Sequence, residues 1–174
     1  VDWPVANLAF FIPFTVYEQI KIKRILVPVV NTVGNFDVGI YKPDKTRIVS
    51  SGSILAMGVQ TQAVNIVNTT LDPGRYYMAV VPTAVAVMQL RHALSGSSNR
   101  LFGIFEKTSS FPLPATATFN EHATRSYIPE FTLDSQGGQI SIWFAGVSAN
   151  ASAANGNLTV TPPATVTDDI MVCP

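Results

Sequence analysis

The chain has 174 residues, equal numbers of acidic and basic side chains and only 13% charged residues, against about 25% in a typical soluble domain. That balance excludes a nucleic-acid binder held by net positive charge. The length suffices for one domain that buries about 70% of its extended-chain surface without needing a disulfide or a metal.

A neutral, charge-poor chain with a mean hydropathy of +0.28 is weakly protected against self-association. Cys173 is the single cysteine, so no internal disulfide forms and nothing points to an oxidising compartment. The opening VDWP has no basic region ahead of an apolar run and does not read as a signal peptide.

In chain order, residues 1–14 are apolar but interrupted by Pro4 and Pro13, which argue against a helix. They read as an N-terminal arm or an edge strand. Val16–Val30 is a strand candidate, with Pro28 marking an edge, a bulge or a break. Within it Ile20, Ile22 and, one step out of register, Ile25 are inward candidates. Lys21, Lys23 and Arg24 form its solvated side rather than a phosphate-binding patch.

Phe36–Tyr41 alternates at period two. Phe36, Val38 and Ile40 are predicted to face a core, and Asp37, Gly39 and Tyr41 to lie nearer water. Pro43-Asp44-Lys45 supplies a turn and Thr46–Ser51 returns, giving a β-hairpin. Ile54–Val59 and Ala63–Val67 are short strand candidates. Asp72-Pro73-Gly74 is a second turn, leading into the strand Arg75–Val81 that Pro82 ends. The apolar stretch Tyr76–Leu90 is too short and too broken to span a bilayer.

Ala84–Leu94 fits helix by composition and strand by spacing. Its all-β surroundings favour strand. Ser95–Asn99 is a loop, and Ser109–Pro114 is held extended and outside any central ladder by its prolines. Tyr127–Leu133 and Gln139–Ala145 read as the last regular strands. Residues 147–174, rich in Ala, Ser, Asn and Pro, read as a C-terminal extended arm. The whole predicts an all-β fold, a two-sheet antiparallel β-sandwich of jelly-roll-like or Ig-like form over residues 15–146.

No catalytic, cofactor-binding or metal-binding residues are assigned. His92 and His122 lack further ligands at matched spacing, and no nucleophile elbow, P-loop or zinc-protease motif is present. A glycosidase would need two carboxylates across one cleft. Glu18, Asp37, Glu106, Glu121, Glu130 and Asp134 are the pool, with no reason in the sequence to pair any two. Trp3, Tyr41, Tyr77, Tyr127 and Trp143 are the aromatics able to stack on sugars, although burial is the usual fate of such side chains. The chain is therefore expected not to be an enzyme.

Gly34–Tyr41 (GNFDVGIY), Ser50–Ser53 (SSGS), Leu71–Ala79 (LDPGRYYMA), Phe111–Thr116 (FPLPAT) and Tyr127-Ile128-Pro129 occur in that order. Together they resemble a small jelly-roll-like β-sandwich domain of tailed-bacteriophage virion surface proteins, over most of residues 16–133. The resemblance implies a structural role in the virion, as a capsid decoration (cement) protein. The implied partners are other copies of the chain, as a trimer or other symmetric oligomer, and the major capsid protein, with no nucleic acid and no membrane. The alternative it implies is a receptor-binding head of a tail fibre, with host glycan as the partner. It carries no catalytic residues.

Overall fold

A computed structural model describes residues 2–58, 60–88, 92–93, 103–108, 110–119, 121–122, 127–135 and 138–140. Among these there is no helix. The strands are β1 (Ala9–Val16), β2 (Ile20–Val29), β3 (Asn35–Tyr41), β4 (Arg47–Ser50), β5 (Ile54–Leu55), β6 (Gln60–Leu71), β7 (Gly74–Pro82), β8 (His92–Ala93), β9 (Phe105–Lys107), β10 (Glu121–His122), β11 (Tyr127–Ile128), β12 (Thr132–Ser135) and β13 (Gly138–Ile140).

The larger sheet runs β10-β9-β1-β7-β3-β4, with β5 also on β3; the smaller runs β13-β12-β2-β6; β8 and β11 form a separate pair. Every pairing is antiparallel. The fold is thus an all-β two-sheet antiparallel sandwich. Phe10, Ile12, Phe36, Val38, Ile40, Met78 and Val80 fill one face of the larger sheet, and Ile22, Ile25, Val27, Val64 and Leu133 the inner face of the smaller. The Phe14 ring meets Phe131 at 6.2 Å between centroids.

The described part of the expected 1–14 arm or edge strand, residues 2–14, is neither. Ala9–Val16 is an inner strand between β7 and β9, and Phe10, Phe11 and Ile12 are fully buried. Even Trp3 is packed: its ring meets Phe10 edge-on at 5.1 Å, and its Nε1–H donates to Leu8 O at 2.8 Å. Six apolar side chains in AFFIPFTV bury more surface as a central strand than an arm could. Pro13 is accommodated within it, opposite Tyr77.

The expected strand Val16–Val30 breaks at Tyr17–Gln19, not at Pro28. Pro28 pairs with Thr61 of β6, whereas the pairing of β12 with β2 ends at Leu26. Pro28 is therefore an edge position on one side, where a missing N–H costs no ladder bond. The register against both neighbours shifts between Ile22 and Arg24. That irregularity carries Ile25 inward despite its odd spacing, so Ile22 and Ile25 are both buried. Arg24, displaced outward, donates from Nε to Asp134 Oδ2 at 2.5 Å and forms an ion pair with it.

Three further expectations change. Ala63–Val67 is part of one 12-residue strand, β6. Ala84–Val87 is turn rather than strand, with Val87 N–H donating to Ala84 O at 3.3 Å; Met88 makes a single bridge to Val29. Tyr127–Leu133 is divided at Pro129 between β11 and β12, which belong to different sheets. The readings of Ser95–Asn99, of Ser141–Ala145 within the last strand and of 147–174 fall outside the described residues.

The largest correction concerns β3. Asp37, Gly39 and Tyr41 do not approach water: Asp37 and Tyr41 are 0% exposed. A non-repetitive strap, residues 110–119, covers this second face of the larger sheet, burying Leu113, Ala117 and Phe119 with Phe11, Ala79 and Val81. Asp37, Gly39 and Tyr41 each meet the strap. Asp37 Oδ2 accepts from Leu113 N–H at 3.0 Å. A Cβ on Gly39 would sit 3.1 Å from Leu113 Cδ1 and 2.7 Å from Val49 O, so only glycine leaves room. Tyr41 OH donates to Pro114 O at 2.6 Å.

The hairpin turn completes the attachment. Arg47 donates from its guanidinium to Leu113 O and from its backbone to Ala115 O, the latter at 2.8 Å. Lys45 Nζ donates to Phe119 O at 2.9 Å and lies 5.0 Å from the centre of that ring. Lys45 itself takes a φ of 71°, and Asp44 Oδ1 accepts from Thr46 N–H at 2.9 Å. The Thr46 backbone N–H and then its side chain hold the Asp44 carboxyl below the usual carboxylate range.

Candidate interaction surface

The carboxylates singled out in the sequence are mostly dispersed. Glu18 lies in the β1–β2 turn, and Asp134 is on Arg24. Asp37 is committed to neutral donors: both carboxylate oxygens lie 3.1–3.2 Å from Ser50 Oγ, and Oδ1 accepts from Ser51 Oγ at 3.0 Å. Glu130 precedes β12. Glu106 and Glu121 occupy opposing register positions on β9 and β10. A register pair alone supplies neither a cleft nor an acid and base in different surroundings, which hydrolysis of a glycoside would need.

The aromatic pool is placed as follows. Trp3 and Tyr41 are core residues. Tyr77 packs against Phe119 at 5.2 Å and Phe105 at 6.0 Å. Tyr127 lies on β11, and Trp143 falls outside the described residues. His92 and His122 lie on β8 and β10. Among the described residues no cluster of His, Cys, Asp and Glu could hold a metal ion. A shallow cavity of about 250 Å³ is lined by Lys21, Ile22, Asn68, Thr69 and Thr70 beside the irregularity in β2. It brings together no groups with a catalytic relation.

A different feature emerges when the strand directions are followed. β1, β3 and β6 begin at one end of the sandwich, where β2 and β7 finish. Among the described residues, segments 2–8, 30–34, 51–58 and 83–88 lie at that end, together with the exit of β9 at Lys107 and the entry to β12 at 129–131. Backbone bonds tie the four segments together: Trp3 N–H to Val85 O at 3.2 Å, Val30 N–H to Val87 O at 3.1 Å, and Ala56 N–H to Gly34 O at 3.1 Å. Asp2 is the sole ionisable side chain in these four segments. Val5, Val33, Leu55, Met57 and Val85 are exposed there, and the remaining large exposed apolar side chains among the described residues are Tyr17 and Val67.

The opposite end is its electrostatic contrast. The β1–β2, β3–β4 and β6–β7 turns carry Glu18, Lys42, Asp44, Lys45 and Asp72. Among the described residues, the five charged side chains of these turns contrast with the single Asp2 of the four segments at the other end, toward which Lys107 at the close of β9 and Glu130 ahead of β12 also lie.

The apolar side chains at the first end stand on braced backbone. Leu55 and Met57 are 62% and 68% exposed. Gln62, buried at the start of β6, donates from Nε2 to Leu55 O and accepts from Met57 N–H at Oε1, both at 3.0 Å. Asn35 Nδ2 donates to Ser53 Oγ at 2.6 Å, and Thr83 Oγ1 accepts from Asn35 N–H at 2.9 Å. A loop fixed by buried amides and hydroxyls presents its apolar tips at low entropic cost, which suits docking. Exposed apolar groups gathered at one end, rather than scattered singly, are the signature of an interaction site.

Sequence reasoning passed over this surface. Ile54–Val59 reads in the sequence as a short strand candidate, and its significance lies in the topology that brings it to one end with three other segments, Asp2 being the one ionisable side chain among the four. Their scarcity of charge is the legible signal. Comparison with protein-family models, with curated proteins and with solved structures found no match.

Proposed function

We propose that this chain is a non-enzymatic structural protein of a tailed-phage virion, a capsid decoration (cement) protein that docks the pole bearing Leu55 and Met57 on the major capsid protein. The observation that carries the reading is the braced Leu55–Met57 loop, with exposed apolar tips on a segment, residues 51–58, that carries no charge. The ordered run of short motifs resembling virion surface domains supports it, as does a composition with little charge to oppose association. Contact with a shell repeated at every lattice position favours a rigid, preorganised patch over a mobile one.

The test is co-sedimentation with phage capsids that lack a decoration protein, using the wild-type chain and the double variant Leu55→Asp, Met57→Asp. Saturable binding by the wild type, lost in the double variant while its thermal unfolding is unchanged, is the expected result. A wild-type protein that ignores capsids and adheres to host-cell polysaccharide overturns the reading in favour of a receptor-binding head.

A further inference from the structure

We infer that a second copy of this chain pairs with the outer edge of β6, joining the smaller sheets of two protomers into one continuous sheet about a two-fold axis. β6 is the last strand of its sheet and pairs with β2 on one side; no strand among the described residues pairs with its other side. Its 12 residues, QTQAVNIVNTTL, contain no charge and no proline. Edge strands in soluble proteins usually carry one or the other, or are very short, because an open row of N–H and C=O groups recruits further strands. β6 has none of these guards over its first half.

Its second half is guarded. Ile22 pairs with Thr69 and Arg24 with Asn65, so β6 carries extra residues opposite Lys23. Thr69 Oγ1 turns back to Val67 O at 2.7 Å. This bulge bends the strand after Asn65. The regular edge available to a partner is Gln60–Asn65, about 20 Å of strand.

Geometry and charge select the occupant. Thr61, Ala63 and Asn65 point outward, while Gln62 and Val64 are buried. A two-fold axis perpendicular to the sheet preserves these faces only when opposed residues share a side. Centring it on Ala63 puts Thr61 opposite Asn65 of the second copy, and Ala63 opposite itself. Every outward pair is then small and uncharged, so self-pairing meets no like-charge repulsion. The same antiparallel symmetry closes at two copies and does not propagate.

The experiment is sedimentation velocity of the full chain over a concentration series, without capsids. The wild type is expected to dimerise. Ala63→Lys, which sets two ammonium groups against each other across the axis, is expected to raise the dissociation constant at least about tenfold with an unchanged circular dichroism spectrum. Mixing Ala63→Lys with Ala63→Glu is expected to restore a mixed dimer, a rescue that damage to the fold would not give. A wild type that stays monomeric at every concentration, including one whose edge instead takes an extended segment of another protein, overturns the inference. So does an oligomer that Ala63→Lys leaves intact. The experiment contains no capsids and its variants leave Leu55, Met57 and Gln62 unchanged, so failure of capsid binding and failure of β6 pairing are separate results.

Discussion

At the scale of single residues, the molecule depends on a buried carboxylate to which no cation among the described residues is bonded. Asp37 is satisfied by two serine hydroxyls and the Leu113 amide. Hydrogen bonds to a charged acceptor are each worth about 1.5–3 kcal/mol, and stranding the donors adds their desolvation penalty. Asp37→Ala is therefore expected to cost about 3–5 kcal/mol in urea denaturation. Asp37→Asn keeps the volume but presents an amide donor to donors, and is expected to cost less than the alanine variant and still more than 1 kcal/mol. Tyr41 gives a pH-dependent counterpart. Burial, opposed by Arg47 and aided by Asp37, pushes its phenol well above the ordinary value of 10.0. The folded protein thus holds that proton more tightly than the unfolded chain does. The associated stability is complete below pH 10 and is lost as pH rises from there towards the folded value. Tyr41→Phe is expected to be less stable by about 1–2 kcal/mol at neutral pH, having lost the bond to Pro114 O. It is also expected to lose less further stability than the wild type between pH 9 and 11.

At the scale of elements, what could be read from the sequence followed from local chemistry. The β3–β4 hairpin and its Asp44 turn, the Asp72–Gly74 turn and the outward lysines of β2 all follow from residues within a few positions of one another. Failures came where a distant segment decided the environment. Period two in Phe36–Tyr41 marks two faces, but it does not state that residues 110–119 cover the second. Asp37 and Gly39 look solvent-compatible because one is charged and the other bare, yet one is a buried acceptor and the other a clearance. Gly39→Ala tests that distinction. On a water-facing strand position it would be mildly favourable. Against Val49 O at 2.7 Å it requires the hairpin or strap to shift. The expected outcome is destabilisation of about 1–3 kcal/mol, with faster amide exchange in β4. Ala9–Val16 was misplaced for a related reason: an apolar N-terminal stretch with two prolines gives no sign of which strands will flank it. The candidate site was the least legible feature, since Leu55 and Met57 are ordinary apolar residues until Gln62 fixes the loop that exposes them.

At the scale of the molecule, the contrast between the apolar tips at one end and the charged turns at the other makes a claim about how a partner is held. Surface ion pairs are screened over about 8 Å at physiological ionic strength and over about 3 Å at 1 M salt. A contact built on Glu18, Lys42, Asp44, Lys45 and Asp72 would therefore weaken steeply as salt is raised. A contact built on Val5, Val33, Leu55, Met57 and Val85 offers little for salt to screen, the one ionisable side chain in their segments being Asp2, and strongly hydrated salts such as sulfate strengthen apolar burial. Attachment of the protein to capsids is accordingly expected to persist, within about twofold in dissociation constant, from 0.05 to 1 M sodium chloride, and to tighten in sodium sulfate. Gln62→Ala refines the same measurement. It removes both braces from the loop while leaving Leu55 and Met57 in the sequence. Binding should weaken by about tenfold, because ordering a freed loop on docking costs about 0.5–1.5 kcal/mol for each immobilised side chain. Affinity that collapses in high salt would assign attachment to the charged pole, whereas salt-resistant affinity that falls in Gln62→Ala would locate it on the braced apolar one.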